Sequence, residues 1–360
     1  NKIYNLLLVR TYLRKSLGDF LFRFYLLNLV LQKCNKPYIN RCTQYAGRKS
    51  IMKKHLILMT ILSSLFGFGQ NKFEKIKKHI IESNYDIESS DKLEILDLIK
   101  PTIGIKTKSK DDNQIGIGNS KIGGNPDLPK DFKWPKFENK YLTFCAQYNL
   151  SELNKYDLQN KLPKNGMLYA FVFIDKDYPG FMNKESSYKL IYLENTENIE
   201  RIEFPKEYFL EGKFKSAQIE YFEYYTLPDD ENYKIEKYES KYEDFNYFYE
   251  TVTEFIDNLT NQETDNFHQI LGEDRSVQSS VVFDFATKKL KIKTIEDYES
   301  KKAEIEKISK KYRILLQLDC NDRNSDLSRF GGSMVIYFGI EPEDLKKNNI
   351  ENVIMAFQGT

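Results

Sequence analysis

From about residue 121 to the end, short apolar stretches alternate with turn residues. The stretches 141–150, 166–174, 187–193, 217–225, 279–285, 312–319 and 333–340 are aromatic or β-branched, which predicts strands. Before them the period changes. Phe73, Ile76, Ile80 and Ile81 recur at helical spacing, so 71–84 predicts an amphipathic helix with His79 among the lysines of its polar side. A second short helix is predicted at 90–99, ahead of Pro101, and 109–119 is polar enough to be a loop. The mixed-charge runs 236–243 and 301–311 read as solvated helix faces or loops. The stretch 219–256 is rich in Tyr, Phe and Glu, either as an aromatic binding surface or as core edges with solvated Glu between. The expected fold is mainly β (α+β), with roll-like antiparallel sheets, peripheral helices and an internal duplication.

The duplication is visible in two matched sets of residues. Phe144-Cys145-Ala146-Gln147-Tyr148-Asn149-Leu150 is followed by the apolar run from Gly166 to Asp175. Ile314-Leu315-Leu316-Gln317-Leu318-Asp319 is followed by the run from Gly332 to Glu341. A Gly-bearing segment precedes each set: Lys121-Ile122-Gly123-Gly124-Asn125-Pro126, continuing to Trp134-Pro135, and His268-Gln269-Ile270-Leu271-Gly272. Equivalent halves pack about a pseudo-two-fold axis, with their matching strands meeting near the middle. Strand alternation puts Gln147 and Asn149 on one face with Cys145, and Gln317 and Asp319 on one face with Leu315. Cys320 then points the other way, which argues against a direct Cys145–Cys320 bridge. Buried amides and carboxylates need partners. They bond across the halves or to loop backbone, or else Gln147, Asn149, Gln317 and Asp319 line a polar cleft that holds a ligand, with Gly123, Gly124 and Trp134 as further candidates.

The amino-terminal stretch differs in kind. The first Met is Met52, followed by Lys53-Lys54 and an apolar run of 13 residues, 56–68. That run is shorter than the roughly 20 residues of a membrane-spanning helix. With Gly67 and Gly69 at positions −3 and −1, 52–69 reads as a signal peptide cleaved after Gly69. Residues 1–51 then read as an upstream extension foreign to the exported protein, or alternatively as a basic amphipathic segment on a membrane surface. The remaining chain divides into 70–120, a helical segment and linker, and 121–360, the duplicated β domain. This organisation predicts export to the periplasm or exterior, with no stable membrane insertion once the signal is removed.

Charge sharpens that boundary. The net charge of the 360 residues is +1, but residues 1–69 hold 12 of the 54 basic side chains and one of the 53 acidic ones. Residues 70–360 therefore carry −10, which argues against nucleic acid as a partner. No phosphate loop, His-Glu-x-x-His, Cys-x-x-Cys or Gly-x-Ser-x-Gly motif occurs, and no metal or other cofactor is expected. His268 is the one catalytic imidazole that could act beside Cys145 or a serine, and it reads more readily as a structural residue. The acidic pairs Asp175/Asp177 and Glu341/Glu343 fit turns, or Ca²⁺, or glycosidase-type chemistry.

The stretch 121–135, the strand 145–150, the segment 268–272, the strand 315–319 and the closing segment 349–358 resemble, in this order, the YwqG-like family, a bacterial domain of unknown function. The resemblance covers roughly 95–360 and implies a duplicated, roll-like β fold without an established activity. Members often sit among contact-dependent toxin and immunity loci, so the association suggests an immunity-type role. Two loops depart from the pattern: Glu273-Asp274-Arg275 stands where a Pro is common, and Ser328-Arg329-Phe330-Gly331-Gly332 replaces a Trp-Gly-Asp-like loop. The expectation is an exported, non-catalytic module that binds a protein or small ligand. The alternative is an exported hydrolase using His268 or a carboxylate pair.

Overall fold

The computed structural model describes residues 67–174, 184, 186–205, 214–228, 232–259 and 267–359. The chain divides into two units, Asn1–Phe68 and Gly69–Thr360. The predicted extension and most of the predicted signal peptide lie outside the described residues, as do Asp175 and Asp177. Gly67–Gly69 begin the first helix.

Two helices come first, α1 (Gly67–Ile81) and α2 (Ser89–Leu98). Strand β1 (Lys100–Ser109) follows, within the stretch read from sequence as helix and linker. The first repeat carries β2 (Lys121–Ile122), β3 (Asp127–Pro129), β4 (Lys136–Phe137), β5 (Lys140–Tyr141) and β6 (Thr143–Asn149). It continues through the short α3 (Leu150–Leu153) to β7 (Met167–Val172), β8 (Tyr188–Leu193) and β9 (Ile199–Arg201). Then come β10 (Ala217–Thr226), α4 (Glu236–Glu239) and α5 (Phe245–Leu259). The second repeat comprises β11 (His268–Ile270), α6 (Val281–Lys289), α7 (Ile295–Ser309), β12 (Arg313–Asp319), β13 (Met334–Ile340), α8 (Pro342–Lys346) and β14 (Ile354–Gly359).

Ten strands form one antiparallel sheet in the order β14-β13-β12-β11-β1-β10-β2-β6-β7-β8. It curls into a nearly closed barrel. At the seam the Tyr188 hydroxyl lies 3.5 Å from the Val353 carbonyl, and its ring meets Phe338 edge-on at 6.2 Å. Ile103, Ala146, Tyr148, Leu316, Leu318 and Phe338 share the interior. Three layers cover the outer face. Helices α1, α2 and α5 pack on Tyr224 and Tyr225, Trp134 and Leu128 pack over β6 and β7, and Val281, Phe285 and Ile308 pack over β12 to β14. Each large apolar side chain taken fully from water contributes about 1.5–3 kcal/mol.

The register displays the duplication. Lys121 and Ile122 pair with Gln147 and Ala146, as Gln269 and Ile270 pair with Gln317 and Leu316. Gly123 and Gly124 both have positive φ, and so do Leu271 and Gly272. A bulge interrupts β6 between Phe144 and Ala146, and its counterpart interrupts β12 between Ile314 and Leu316. The whole mainly β, antiparallel architecture with peripheral helices follows the expectation.

Three readings need correction. The matching strands β6 and β12 do not pair at the centre, because β1 and β10 stand there with ten residues in register. The predicted strand 279–285 is instead part of α6. Val281, Val282, Phe285 and Ala286 fall on one helical face and are buried, so packing overrides their β propensity. Finally, the bulge at Cys145 breaks the alternation and turns that residue into the barrel interior, which Cys320 shares. Both are free, buried thiols, and burial raises the pKa of each. His79 is half-buried, stacked 4.1 Å from the Phe255 ring.

Candidate functional site

The central glutamines show what each repeat does with its polar core. In the first, the Asp127 N–H donates to Gln147 Oε1 (2.8 Å), and Gln147 Nε2 donates to the Asn119 carbonyl (2.8 Å). In the second, the Arg275 N–H donates to Gln317 Oε1 (3.2 Å), and Gln317 Nε2 donates to the Phe267 carbonyl (3.0 Å). Tyr169 and Tyr337 face these glutamines across the ladder and donate to the carbonyls of Asp127 (2.5 Å) and Arg275 (2.7 Å). The parallel extends outward. Lys121 Nζ donates to the Asn125 carbonyl (2.5 Å), as Gln269 Nε2 does to that of Glu273 (2.6 Å). The Asn149 N–H donates to Ser120 Oγ (2.8 Å), as the Asp319 N–H does to His268 Nδ1 (3.0 Å). Each amide thus ties the segment entering its repeat to the strand that follows.

The two repeats diverge beyond this frame. In the first, Asp127 is fully buried and its carboxylate accepts from Gln147 Nε2 (2.7 Å), the Gly118 N–H (2.9 Å) and Arg201 Nε (2.9 Å). Arg201 comes from β9, which pairs with β3 over Asp127↔Arg201, and its other nitrogens reach the Asp112 and Ile115 carbonyls. Lys121, fully buried, donates to Asp112 Oδ1 (2.6 Å), and burial lowers its pKa against the pull of that carboxylate. Donors and acceptors match, so the first repeat is plugged by its own charges.

In the second repeat, Arg275 stands at the position of Asp127, and a cavity of about 900 Å³ opens beside it. Asp274–Val277 form one wall and Gln317 and Asp319 another. The exposed Glu250 and Glu254 of α5, with Thr253 and Asp257, form the side opposite. The Arg275 guanidinium lies 3.7 Å over the Phe267 ring. It donates to the Tyr224 hydroxyl (2.7 Å) and to Asp257 (3.3 Å), and Tyr224 itself donates to Asp257. Asp319 accepts from the N–H groups of Phe267 (3.0 Å) and Asn321 (2.8 Å). Gln317 Nε2 makes one hydrogen bond where Gln147 Nε2 makes two.

The seven candidate residues do not share one site. Gln147, Asn149, Gly123 and Gly124 belong to the plugged repeat. The Asn149 amide donates to the Gly118 carbonyl (2.9 Å) and caps α3 through Ser151 (3.0 Å). At Gly124 an added Cβ would strike the Asp112 carboxylate, so the turn admits only glycine. Trp134 packs on Phe171 and Phe204 and donates to the Leu142 carbonyl (2.7 Å). Gln317 and Asp319 alone line the cavity. The apolar sides of β6 and β12 share the interior, so their polar sides point apart. His268 is buried, with Nε2 3.5 Å from the buried Asp322 Oδ2. The aromatic-rich stretch is mainly core: Tyr224, Tyr225, Phe248 and Tyr249 are buried, though Tyr224, Tyr225 and Tyr249 also border the cavity. Sequence reading missed Arg275 and Asp257. The signal was present as the departure at Glu273-Asp274-Arg275, a charged run where a turn Pro was expected.

Among the described residues no group of three or more His, Cys, Asp and Glu is placed to hold a metal ion. No helix there is long and apolar enough to cross a membrane. A family model, for a domain of unknown function (DUF1963), matches the chain over residues 120–358. The chain belongs to this family. The match opens at Ser120 and closes at Gln358, so the family span takes in both repeats and leaves out α1, α2 and β1. No curated protein matches the chain.

Proposed function

We propose that the chain is an exported, YwqG-like binding module whose ligand occupies the cavity beside Arg275. One observation carries this reading: two repeats share a polar frame, and among the described residues only the first fills it with its own side chains. An open cavity of about 900 Å³ lies within the size of ordinary small-ligand sites. The alternative of a His268 hydrolase draws no support from the geometry, because this imidazole is buried and bonded to a backbone N–H on one side. Export rests on the sequence pattern of 52–69, and recovery from native cells of a chain beginning at Gln70 would support it.

The test is a thermal-shift screen of soluble metabolites and short peptides against the protein and its Thr253→Trp variant. Thr253 is half-buried on the cavity wall, and an indole there fills space without touching the barrel interior. Compounds that raise the melting temperature of the parent should lose that effect in the variant. Stabilising compounds that act equally on both proteins, or the absence of any, would overturn the reading.

A further inference from the structure

In the first repeat, the segment Asp127–Pro129 is not an edge. Strand β9 pairs with it, the Ile202 N–H donates to the Pro126 carbonyl (2.9 Å), and Arg201 delivers its guanidinium to the buried Asp127. The register places Asp274–Val277 at the position of Pro126–Pro129. Among the described residues no strand lies beside it. Ser276 N–H and C=O, and the Asp274 carbonyl, meet no hydrogen-bond partner there. The cavity borders this unpaired edge. It therefore stands where the first repeat holds its own strand.

Resting on the cavity as the binding site, we infer that it takes an extended basic peptide, which adds as a strand along Asp274–Val277. Three features specify that chemistry. The free backbone edge offers ladder hydrogen bonds, and strand addition derives its affinity from such bonds. Among the described residues, Glu250, Glu254, Asp257, Asp274 and Asp319 border the cavity, against the single cation Arg275. Arg275 is already held by Asp257 and Tyr224, so the exposed Glu250 and Glu254 are left to receive a cationic side chain. Gln317, fully buried, retains amide N–H capacity that its twin spends on Asp127, and a peptide carbonyl can accept it. In the first repeat the incoming strand likewise brings an arginine to two carboxylates.

The experiment titrates the full chain into a fluorescein-labelled peptide Thr-Ile-Lys-Arg-Ile-Lys and reads anisotropy. Two control peptides accompany it, one N-methylated at the central residues and one with Glu replacing each basic residue. We expect saturable binding, weakened at least about tenfold by N-methylation, by the acidic exchange, and by Glu250→Lys with Glu254→Lys in the protein. These two glutamates are exposed, so their exchange leaves folding intact, and circular dichroism checks it. Binding that survives N-methylation but follows charge is surface adsorption and overturns strand addition, as does no saturable binding. If the peptide fails while other compounds stabilise the parent and not Thr253→Trp, the peptide inference alone falls. If both fail, the cavity is no binding site.

Discussion

Asp322 is buried and Lys288 half-buried, and the environment lowers the pKa of both, which favours the charged form of one and the neutral form of the other. Burial alone would raise the Asp322 carboxyl, but the neighbouring His268, whose Nε2 lies 3.5 Å from Oδ2, with help from Ser325 and the Asn324 N–H, brings it down to about 2. An unfolded Asp titrates near ~3.9. A carboxyl depressed on folding stabilises the protein above its unfolded value and loses that contribution as pH falls through the folded one. The difference corresponds to about 2–3 kcal/mol, present at pH 5 and lost by about pH 1, below both values. Asp322→Asn should flatten this part of the acid limb in urea titrations. An unchanged slope between pH 5 and pH 2 would refute the coupling to His268. Lys288 donates to the Met355 carbonyl, and burial lowers its pKa to about 7, with the Asp284 charge opposing. The folded state then holds this proton less tightly than the unfolded chain, so stability rises with pH from about 7 towards about 10.5. Lys288→Met should abolish that rise, and a melting temperature still climbing over the window would count against it.

At the scale of elements, the two glutamine strands invite comparison because their roles match but their loads differ. Removing Gln147 strands the buried Asp127 N–H and the Asn119 carbonyl and takes one donor from the Asp127 carboxylate, which keeps Gly118 and Arg201. Removing Gln317 strands two groups, beside a cavity that water can enter. At about 1–3 kcal/mol for each buried group left unpaired, Gln147→Leu should cost more than Gln317→Leu, whose stranded groups water can reach through the cavity. Chemical denaturation decides it, and equal costs would mean the repeats are equally closed. Much of this was legible beforehand. The Gln strands, the Gly segments and their order are local patterns, and strands β6, β7, β8, β10, β12 and β13 fall where alternation placed them. The helix α6 was not legible, because Ser-Val-Val-Phe-Asp-Phe carries β-type residues at a spacing that also suits a helix. Its start is fixed from outside, by Asp274 and Ser276 accepting from the Val281 N–H. Nor was the turn of Cys145 into the interior, since a bulge adds a residue without leaving a mark in composition.

On the scale of the whole molecule, the strand least visible in the sequence holds the sheet together. Residues 100–109 include Pro101 and four polar or charged side chains after Ile105, so they read as linker. Yet β1 pairs with β10 over ten positions and with β11 over three, and the pair β1–β10 is what lies between the two repeats in the sheet order. Its burial comes from both neighbours at once, and a local pattern cannot report neighbours that are more than a hundred residues away. The cavity was hidden for a similar reason: it arises where one repeat has a strand and the other, among the described residues, does not, which only the assembled register reveals. The family span, 120–358, excludes β1 as well as the α1–α2 layer. A fragment of residues 120–359 should therefore fail to fold, although it contains every repeat residue. Without β1 the edges of β10 and β11 lie open, and Ile103 and Ile105 leave the barrel interior. Scanning calorimetry should show a cooperative transition for residues 69–360 and none for the fragment. A peptide of residues 96–112 added to the fragment should restore one if β1 is what joins the halves. A cooperative transition in the fragment alone would show that each repeat is stable without the strand between them.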